Sequence, residues 1–424
     1  MSAVTLGGGS HAQERSLGLV TTLLDRSRRL VPELPRPVWA LQAGGLANAV
    51  GSGLVLPFLL IYLHDTRGIP LASAGLVVGA FGLLSMAATP FAGSLVDRFG
   101  ARLLLAASLV VLAAGFALLP FAHSARAAVL AVGLAGLGNG GFWPSQSTLA
   151  MTLTPRERRH EASALTRASY NLGLGIGSAL GGLLLASGGG ARFTLLFLAD
   201  AATFVVFAAV VLSLRVPRSD AAARGAGGGY RRVLADRPFV GLLLVNLLAV
   251  VAGYAVFESV LPVFARDQAG LSPRTIGLVF LANMLAVAVL QLPLAKALAG
   301  RRRLGAVALT GGLWLAAFAL VPLATPAAFV AAAILFAAGE CLLGPAVGPL
   351  VVDLAPEELR GRYLALFTNS YALGFAAGPA AGAFALGISP RGVWVAAAAA
   401  AGLVAVAALG LERRVPAAAR RTPA

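Results

Sequence analysis

Three carboxylic acids stand inside long apolar stretches of this sequence, at Asp200, Glu258 and Glu340. A charge at the centre of such a stretch costs about 2.5–3.5 kcal/mol even on lenient insertion scales, so each acid calls for an explanation. A desolvated carboxylate takes up a proton readily, which is the chemistry of proton exchange. Glu340, near the middle of its stretch, and Glu258 are therefore the proton-coupling candidates, with a neutral, hydrogen-bonded glutamate as the alternative. Asp200 is interpreted as a packing or hydrogen-bonding residue near Thr203.

The apolar stretches around these acids set the class of protein. The 424-residue chain is 58% hydrophobic and 12% charged, with a mean hydropathy of +0.85, whereas an average soluble chain is about one quarter charged. A soluble enzyme, a disordered chain and a coiled coil are excluded in favour of a membrane protein. Because the stretches are long and rich in Ala, Leu and Gly, they favour helices over strands. They cover residues 38–62, 72–95, 103–122, 127–152, 164–187, 192–213, 238–264, 275–298, 304–323, 327–352, 364–386 and 391–411.

The basic residues indicate the orientation in the membrane. If the termini and the loops after even-numbered spans are assigned to one side of the membrane, that side carries 27 of the 33 Lys and Arg residues. The positive-inside rule then predicts cytoplasmic termini. The formal charge of +16 is read as a topology signal and a contact with anionic lipids rather than as a nucleic-acid site. This count leaves no basic residue within the spans to pair with Glu340.

The two halves of the chain are internal copies. A shift of 201 residues brings Gly138–Gly181 onto Gly339–Gly382 with sixteen of 44 positions identical, which indicates a repeat. The sequence therefore predicts an all-α membrane protein of twelve transmembrane helices in two pseudo-symmetric six-helix bundles. The predicted divisions are a partly disordered cytoplasmic segment (1–37), a first bundle (38–213), a cytoplasmic linker (214–237), a second bundle (238–411) and a cytoplasmic tail (412–424).

The turn after the second span reads Gly93-Ser-Leu-Val-Asp97-Arg98-Phe-Gly100-Ala-Arg102. Gly93 permits close helix packing and Gly100 permits an unusual dihedral angle. The pattern G-x-L-x-D-R-x-G-x-R, at this place in a chain of six plus six spans, resembles the signature of the major facilitator superfamily. The resemblance implies that Asp97, Arg98 and Arg102 belong to a gate between the halves that stabilises the outward-facing state, and that they do not bind substrate.

Glycines recur along the fifth and eleventh spans. They resemble the glycine-rich motif in the fifth helix of the family's proton-driven exporters, in which a proline follows the central glycine. Ser178 replaces that proline in the fifth span, whereas Pro379 keeps it in the eleventh. Simple packing through small residues explains the glycines almost as well. The motif residues are Gly173, Gly177, Gly181, Gly374, Gly378, Pro379 and Gly382.

Polar and aromatic residues mark the helix faces that are predicted to line a cavity. Trp143 and Gln146, for example, follow Asn139 at helical spacing along one stripe. An aromatic and amide lining around one or two acids suits amphiphilic or cationic organic solutes, since organic-anion carriers show Arg or Lys within their spans. The predicted lining residues are Asn48, Ser52, Asn139, Trp143, Gln146, Tyr170, Asn171, Tyr254, Asn283 and Tyr371.

The function expected from these features is secondary transport by alternating access, most simply proton-driven efflux of small organic solutes through the cell membrane. An uptake permease of the same fold is the alternative, and a non-transporting polytopic protein is a remote one. We expect no enzymatic activity, no cofactor other than the proton gradient and no metal site. The expected partners are a small organic substrate, protons and membrane lipids, without nucleic acid, for a protein that acts as a monomer.

Overall fold

Helices account for nearly the whole structure. The computed structural model describes residues 34–155, 158–186, 190–216 and 230–422, and only the backbone of Asp97, His160 and Glu358. Most of the predicted N-terminal segment (1–33), most of the linker (217–229) and the last two residues lie outside this description. Within it, twelve helices are long and apolar enough to cross a membrane. They are α1 (Arg36–Thr66), α2 (Leu71–Val96), α3 (Ala101–Phe121), α4 (Ala125–Leu153), α5 (Glu161–Ala186), α6 (Gly190–Ser213), α7 (Arg237–Ala269), α8 (Pro273–Ala297), α9 (Arg303–Leu323), α10 (Pro326–Leu354), α11 (Arg360–Ile388) and α12 (Gly392–Glu412).

Local sequence signals explain where several helices begin. The side chain of Ser124 accepts a hydrogen bond from a backbone N–H of the first turn of α4, and Asp236, Ser272 and Thr325 do the same for α7, α8 and α10. These caps satisfy backbone donors that have no partner within a helix. Between α2 and α3, Gly100 has a φ of 82°, which L side chains rarely adopt. Where the structure describes the connections between spans, they are short turns.

The helices pack as two bundles of six that repeat one pattern. In the first half α1 packs on α5 and α6, while α4 packs on α2 and α3. In the second half α7 packs on α11 and α12, while α10 packs on α8 and α9. The contacts between the halves follow the same symmetry, because α2 meets α11 where α5 meets α8. The sequence prediction of two pseudo-symmetric six-helix bundles is therefore confirmed.

Small residues allow the halves to approach closely on one side of the molecule. A Cβ atom added to Gly82 of α2 would lie 2.6 Å from the backbone nitrogen of Ala376 in α11. On the other flank, a Cβ atom on Gly182 of α5 would fall on the carbonyl oxygen of Pro273 in α8. Both contacts lie towards the face where α1 ends at Thr66, which we call the outer face. The glycines thus bring backbone against backbone between the halves, as in other closely packed membrane helices.

The halves separate towards the opposite face, where α6 ends and α7 begins, which we call the linker face. Among the described residues, nothing lies within 4 Å of a Cβ atom added to Gly348 of α10 or to Gly361 of α11. The turn between α2 and α3 is on this face, and its residues Gly93, Arg98 and Gly100 are exposed. The described part of the chain is therefore closed on the outer face and open on the linker face.

Arg102, predicted to belong to the gate, contacts its own half in this conformation. Its Nη1 atom donates a hydrogen bond to the carbonyl oxygen of Leu214 at 2.8 Å, beyond the end of α6. The 201-residue shift relates Arg102 to Arg303, whose Nη1 atom lies 2.5 Å from Asp353 Oδ2 at the end of α10. Both arginines thus tie the start of one helix to the end of another within one bundle. The predicted gate residue Asp97 has its side chain outside the described part of the chain.

Candidate functional site

A cavity of ≈ 390 Å³ lies between the halves and towards the linker face. It is large enough for a drug-sized solute. Five residues named from the sequence line it, and six further residues complete the lining. The former are Trp143, Gln146, Tyr170, Asn171 and Glu340; the latter are Ser147, Ala150, Met151, Ser163, Thr166 and Arg167.

Two helical stripes form most of the cavity wall. In α4 the lining residues begin at Trp143 and recur at intervals of three and four up to Met151. In α5 they begin at Ser163 and recur at the same intervals up to Asn171. This spacing places each set on one face of its helix. The ring of Trp143 meets that of Tyr170 edge to face at a centroid distance of 5.0 Å, so an aromatic corner joins the two stripes.

Arg167 corrects the expectation that no basic residue within the spans faces Glu340. The arginine count had placed Arg167 in the loop after the fourth span, although the predicted fifth stretch (164–187) contains it, and α5 turns it into the cavity. Its Nη1 atom would lie 3.2 Å from a Cβ atom on Gly344, one turn along α10 from Glu340. Arg167 is also an electrostatic neighbour of Glu340. A cation from the first half therefore faces a carboxylate from the second.

The stripe in α5 is the signal that sequence reasoning missed. Helical spacing places four residues on one face: Thr166, Arg167, Tyr170 and Asn171. An arginine that had been assigned to a loop therefore shares a face with two predicted lining residues. Arginine is expensive within a membrane and usually faces a bundle interior or a water-filled cavity. Both observations were available before the structure.

Glu258, the second proton-coupling candidate, is exposed on α7 and lies beyond the described lining of the cavity. It follows a π-helical segment, Val250–Tyr254, a local distortion that is frequent at functional sites. Glu258 is an electrostatic neighbour of both Tyr170 and Glu340. The two glutamates thus act within one electrostatic environment between the halves.

Tyr254 and Tyr371, also named from the sequence, lie in an aromatic cluster of the second half. The ring of Tyr254 meets those of Trp314 and Phe336 edge to face at 5.1 and 5.6 Å, and that of Tyr371 at 6.3 Å. Both tyrosines are half-buried electrostatic neighbours of Glu340. Neither tyrosine is among the residues that form the described cavity wall.

Asn48 and Ser52 share a face of α1, as the spacing predicts, but that face packs on α6. Ser52 Oγ donates a hydrogen bond to Asp200 Oδ1 at 3.5 Å, and Asn48 is buried. Asp200 is fully buried, and Thr203 Oγ1 donates to its carbonyl oxygen. Ser52 and Asp200 thus form a polar contact inside the first bundle, which agrees with the packing interpretation of Asp200.

Two further predicted lining residues join helices within a bundle. Asn139 Nδ2 donates to Ser85 Oγ at 2.9 Å, linking α4 to α2. Asn283 Nδ2 donates to the carbonyl oxygen of Ala333 at 2.9 Å, linking α8 to α10. Side-chain hydrogen bonds of this kind stabilise the packing of membrane helices. Both asparagines lie away from the described cavity wall.

Two six-helix bundles around a cavity that opens to one face define a polytopic membrane transporter. Residues 43–273 and 243–424 match the family model described as Major Facilitator Superfamily. The chain belongs to this superfamily, whose members named below are transporters and not enzymes. The resemblance read from the turn after the second span is thereby confirmed.

The sequence relatives include drug-resistance proteins. The chain is 30% identical over 360 residues to the multidrug resistance protein MdtH of Aeromonas hydrophila, covering 83% of this chain and 86% of the relative. It is 29% identical over 359 residues, with the same coverage of both chains, to the protein of that name from Aeromonas salmonicida. It is 26% identical over 352 residues to the uncharacterized MFS-type transporter YttB of Bacillus subtilis, covering 80% and 86%.

Solved structures share the fold at low sequence identity. The nucleoside transporter NupG superposes with a TM-score of 0.74 at 12% identity, covering 89% of this chain and 100% of that one. A bacterial homologue of the human lysosomal transporter Spinster, in an inward-facing and occupied conformation, superposes with a TM-score of 0.69 at 16% identity, covering 91% and 98%. These likenesses establish the architecture alone.

Proposed function

We propose that this transporter exports small organic solutes in exchange for protons, by alternating access to the cavity between its halves. The observation that carries the proposal is that Glu340 and Arg167, from opposite halves, face a common cavity. The names of the MdtH relatives, which are multidrug resistance proteins, support efflux as the direction. Small-molecule transport itself follows from membership of the superfamily.

The position of Glu340 suits proton exchange. It lies midway along α10, between Pro326 and Leu354, and its side chain is half-buried. Two effects oppose each other there, because desolvation favours the neutral acid while a nearby cation favours the carboxylate. Both effects change when the cavity closes and opens. Proton uptake and release at Glu340 therefore follow the conformation of the protein, which is the requirement for coupling.

Arg167 gives the coupling a partner in the other half. Since Arg167 lies on α5 and Glu340 on α10, any rocking of the halves alters the separation of the two charges. Glu258, the other proton candidate, adds a second carboxylate to the same electrostatic environment. Protonation of one carboxylate changes the charge that a substrate meets. The charge state of the cavity and its accessibility are thus linked.

The lining also bears on the substrate. Trp143 and Tyr170 offer aromatic surface, and Asn171 and Gln146 offer hydrogen bonds. Because the wall carries Arg167 as well as Glu340, the lining does not favour cations over organic anions. We therefore propose amphiphilic organic solutes with an apolar body, without restricting their charge.

The test is transport by the purified protein in proteoliposomes, with a panel of cationic, neutral and anionic fluorescent compounds. Glu340→Gln keeps the volume of the side chain and removes its exchangeable proton. We expect transport driven by a pH gradient to fall at least about tenfold, which corresponds to about 1.4 kcal/mol. Exchange of labelled for unlabelled compound, which needs no net proton movement, should continue.

Three further variants complete the experiment. Glu357→Gln makes the same chemical change at an exposed residue on the linker face and should leave gradient-driven transport unchanged. Arg167→Gln should alter the pH dependence of exchange, whereas Arg167→Lys, which keeps the charge, should alter it less. Full gradient-driven transport by Glu340→Gln would remove this residue from the mechanism. Movement of solute in the same direction as the protons, rather than in the opposite direction, would identify an uptake permease.

A further inference from the structure

The C-terminal tail is held against the turn between α8 and α9 by backbone hydrogen bonds. The N–H of Arg303 donates to the carbonyl oxygen of Arg420 at 2.9 Å, and the N–H of Thr422 donates to that of Arg301 at 3.0 Å. Arg302 and Arg421 face each other as an antiparallel bridge. Ala419, one residue before Arg420 in the tail, is buried. The tail and the turn therefore form one structural unit, which we call the tail junction (residues 298–303 and 412–422).

The tail junction brings together positive charges that do not help to hold the tail in place. Directly opposed residues in an antiparallel pair have Cβ atoms about 4.5–5.5 Å apart, and like charges at such positions destabilise the pair. Arg302 and Arg421 are such a pair, and Arg301 lies beside them. All three side chains are exposed. The docked tail thus places the exposed side chains of Arg302 and Arg421 opposite each other, with Arg301 next to them in the sequence.

Little negative charge compensates them within the described residues. Arg302 Nε lies 3.5 Å from Glu412 Oε1, with the arginine side chain 67% exposed. The other carboxylate nearby, Asp353, is engaged by the buried Arg303. For Arg301 and Arg421 the described part of the chain supplies no carboxylate within ion-pair distance. The junction therefore retains an excess of positive charge that an external anion can neutralise.

We propose that the tail junction binds the phosphate of an anionic phospholipid in the leaflet at the linker face. The guanidinium groups of Arg301, Arg302 and Arg421 offer several N–H donors, and a phosphate accepts such donors in pairs. The junction follows directly on the ends of α8 and α12, which places it at the depth of lipid headgroups. A membrane phosphate is therefore the source that this position favours over a soluble one.

Lipid binding at this place bears on the conformational cycle. The 201-residue shift relates the turn at 298–303 to residues 97–102, the turn that carries the predicted gate in the first half. In the second half the docked tail holds that turn through backbone hydrogen bonds. A bound headgroup stabilises the docked tail and with it the position of the turn. The tail junction is thus a lipid-dependent support for the linker face of the second bundle.

The experiment measures backbone hydrogen exchange of residues 413–422 for the full chain in nanodiscs. Discs of phosphatidylcholine alone are compared with discs that also contain phosphatidylglycerol, and native mass spectrometry counts the retained phosphatidylglycerol. We expect the anionic lipid to slow exchange in the tail. Arg421→Gln should weaken phosphatidylglycerol binding about fivefold, and Arg302→Gln with Arg421→Gln about 25-fold, as expected for roughly 1 kcal/mol per basic residue at a membrane surface.

A matched control removes one arginine far from the junction. Arg391→Gln, an exposed residue in the turn between α11 and α12 at the outer face, should bind phosphatidylglycerol like the parent protein. If Arg391→Gln and Arg421→Gln weakened phosphatidylglycerol binding equally, the effect would depend on net charge alone and the proposal would be overturned. In phosphatidylcholine discs, inorganic phosphate should not reproduce the protection. If it did, the ligand would be a soluble anion. Unchanged tail exchange with phosphatidylglycerol would exclude the site.

Discussion

An ion pair on the outer face joins the two halves and should hold this conformation. The side chain of Asp65, in the last turn of α1, contacts that of Arg266, near the end of α7. The two side chains are 23% and 40% exposed respectively. Because α1 and α7 belong to opposite bundles, opening of the outer face has to separate this pair. The pair therefore stabilises the conformation that is open on the linker face.

The exposure of the pair sets the size of its effect. Ion pairs in contact with water contribute about 0.2–1 kcal/mol, since solvent screens them and side-chain entropy opposes them. Arg266→Gln should consequently shift the equilibrium towards the state open on the outer face by about 1.4- to fivefold. Charge reversal at both positions, with Asp65→Arg and Arg266→Asp, should restore most of the original population.

Distances between two spin labels measure this equilibrium. Cys341 is the only cysteine in the chain, so Cys341→Ala provides the background for labels at Phe121→Cys and Ile388→Cys. These two exposed positions lie at the outer ends of α3 and α11. The population with a long distance between the two labels should grow in Arg266→Gln. Arg391→Gln, which removes the same charge elsewhere on the outer face, should leave it unchanged. An equal shift in both variants, or a charge reversal without recovery, would refute the reasoning.

Three further tests concern the gate, the glycine packing and the buried charge. Asp97→Asn should slow turnover about tenfold with little change in substrate affinity, measured by exchange kinetics and equilibrium binding. Gly177→Ala would place a Cβ atom on a carbonyl oxygen of α1 and should destabilise the protein by about 1–3 kcal/mol in thermal unfolding, whereas Gly348→Ala enters open space and should be tolerated. Asp353→Asn should cost about 1.5–3 kcal/mol in the same assay, because it leaves the Arg303 guanidinium, 3% exposed, without its carboxylate.

The fold could be predicted from the sequence because its signals are strong and local. Span lengths follow from the thickness of the hydrocarbon layer, and the repeat follows from residue identity alone. The pairing of α2 with α11 and of α5 with α8 required the structure, since a repeat does not say which helices of the two copies meet. Its symmetry nevertheless agrees with the 201-residue shift.

The site was predicted less completely because helical spacing shows which residues share a face but not what that face meets. Asn48 and Ser52 share a face as expected, and it contacts Asp200 in the first bundle rather than the cavity. Arg167 was missed for a different reason. Charges near the ends of apolar stretches were assigned to loops, so the polar stripe that runs from Thr166 through Arg167 was divided between a loop and a helix.

The chemistry of the cavity arises where the two copies of the repeat differ. The 201-residue shift relates Glu340 to Asn139, and Arg167 to Thr368, so each half supplies one charge and a neutral residue takes its place in the other. It also relates Trp143 to Gly344, and the missing side chain at Gly344 leaves the space beside α10 that the guanidinium group of Arg167 enters. The symmetry of the repeat thus provides two similar bundles, while these three departures from it make the cavity polar and place its opposite charges on opposite halves.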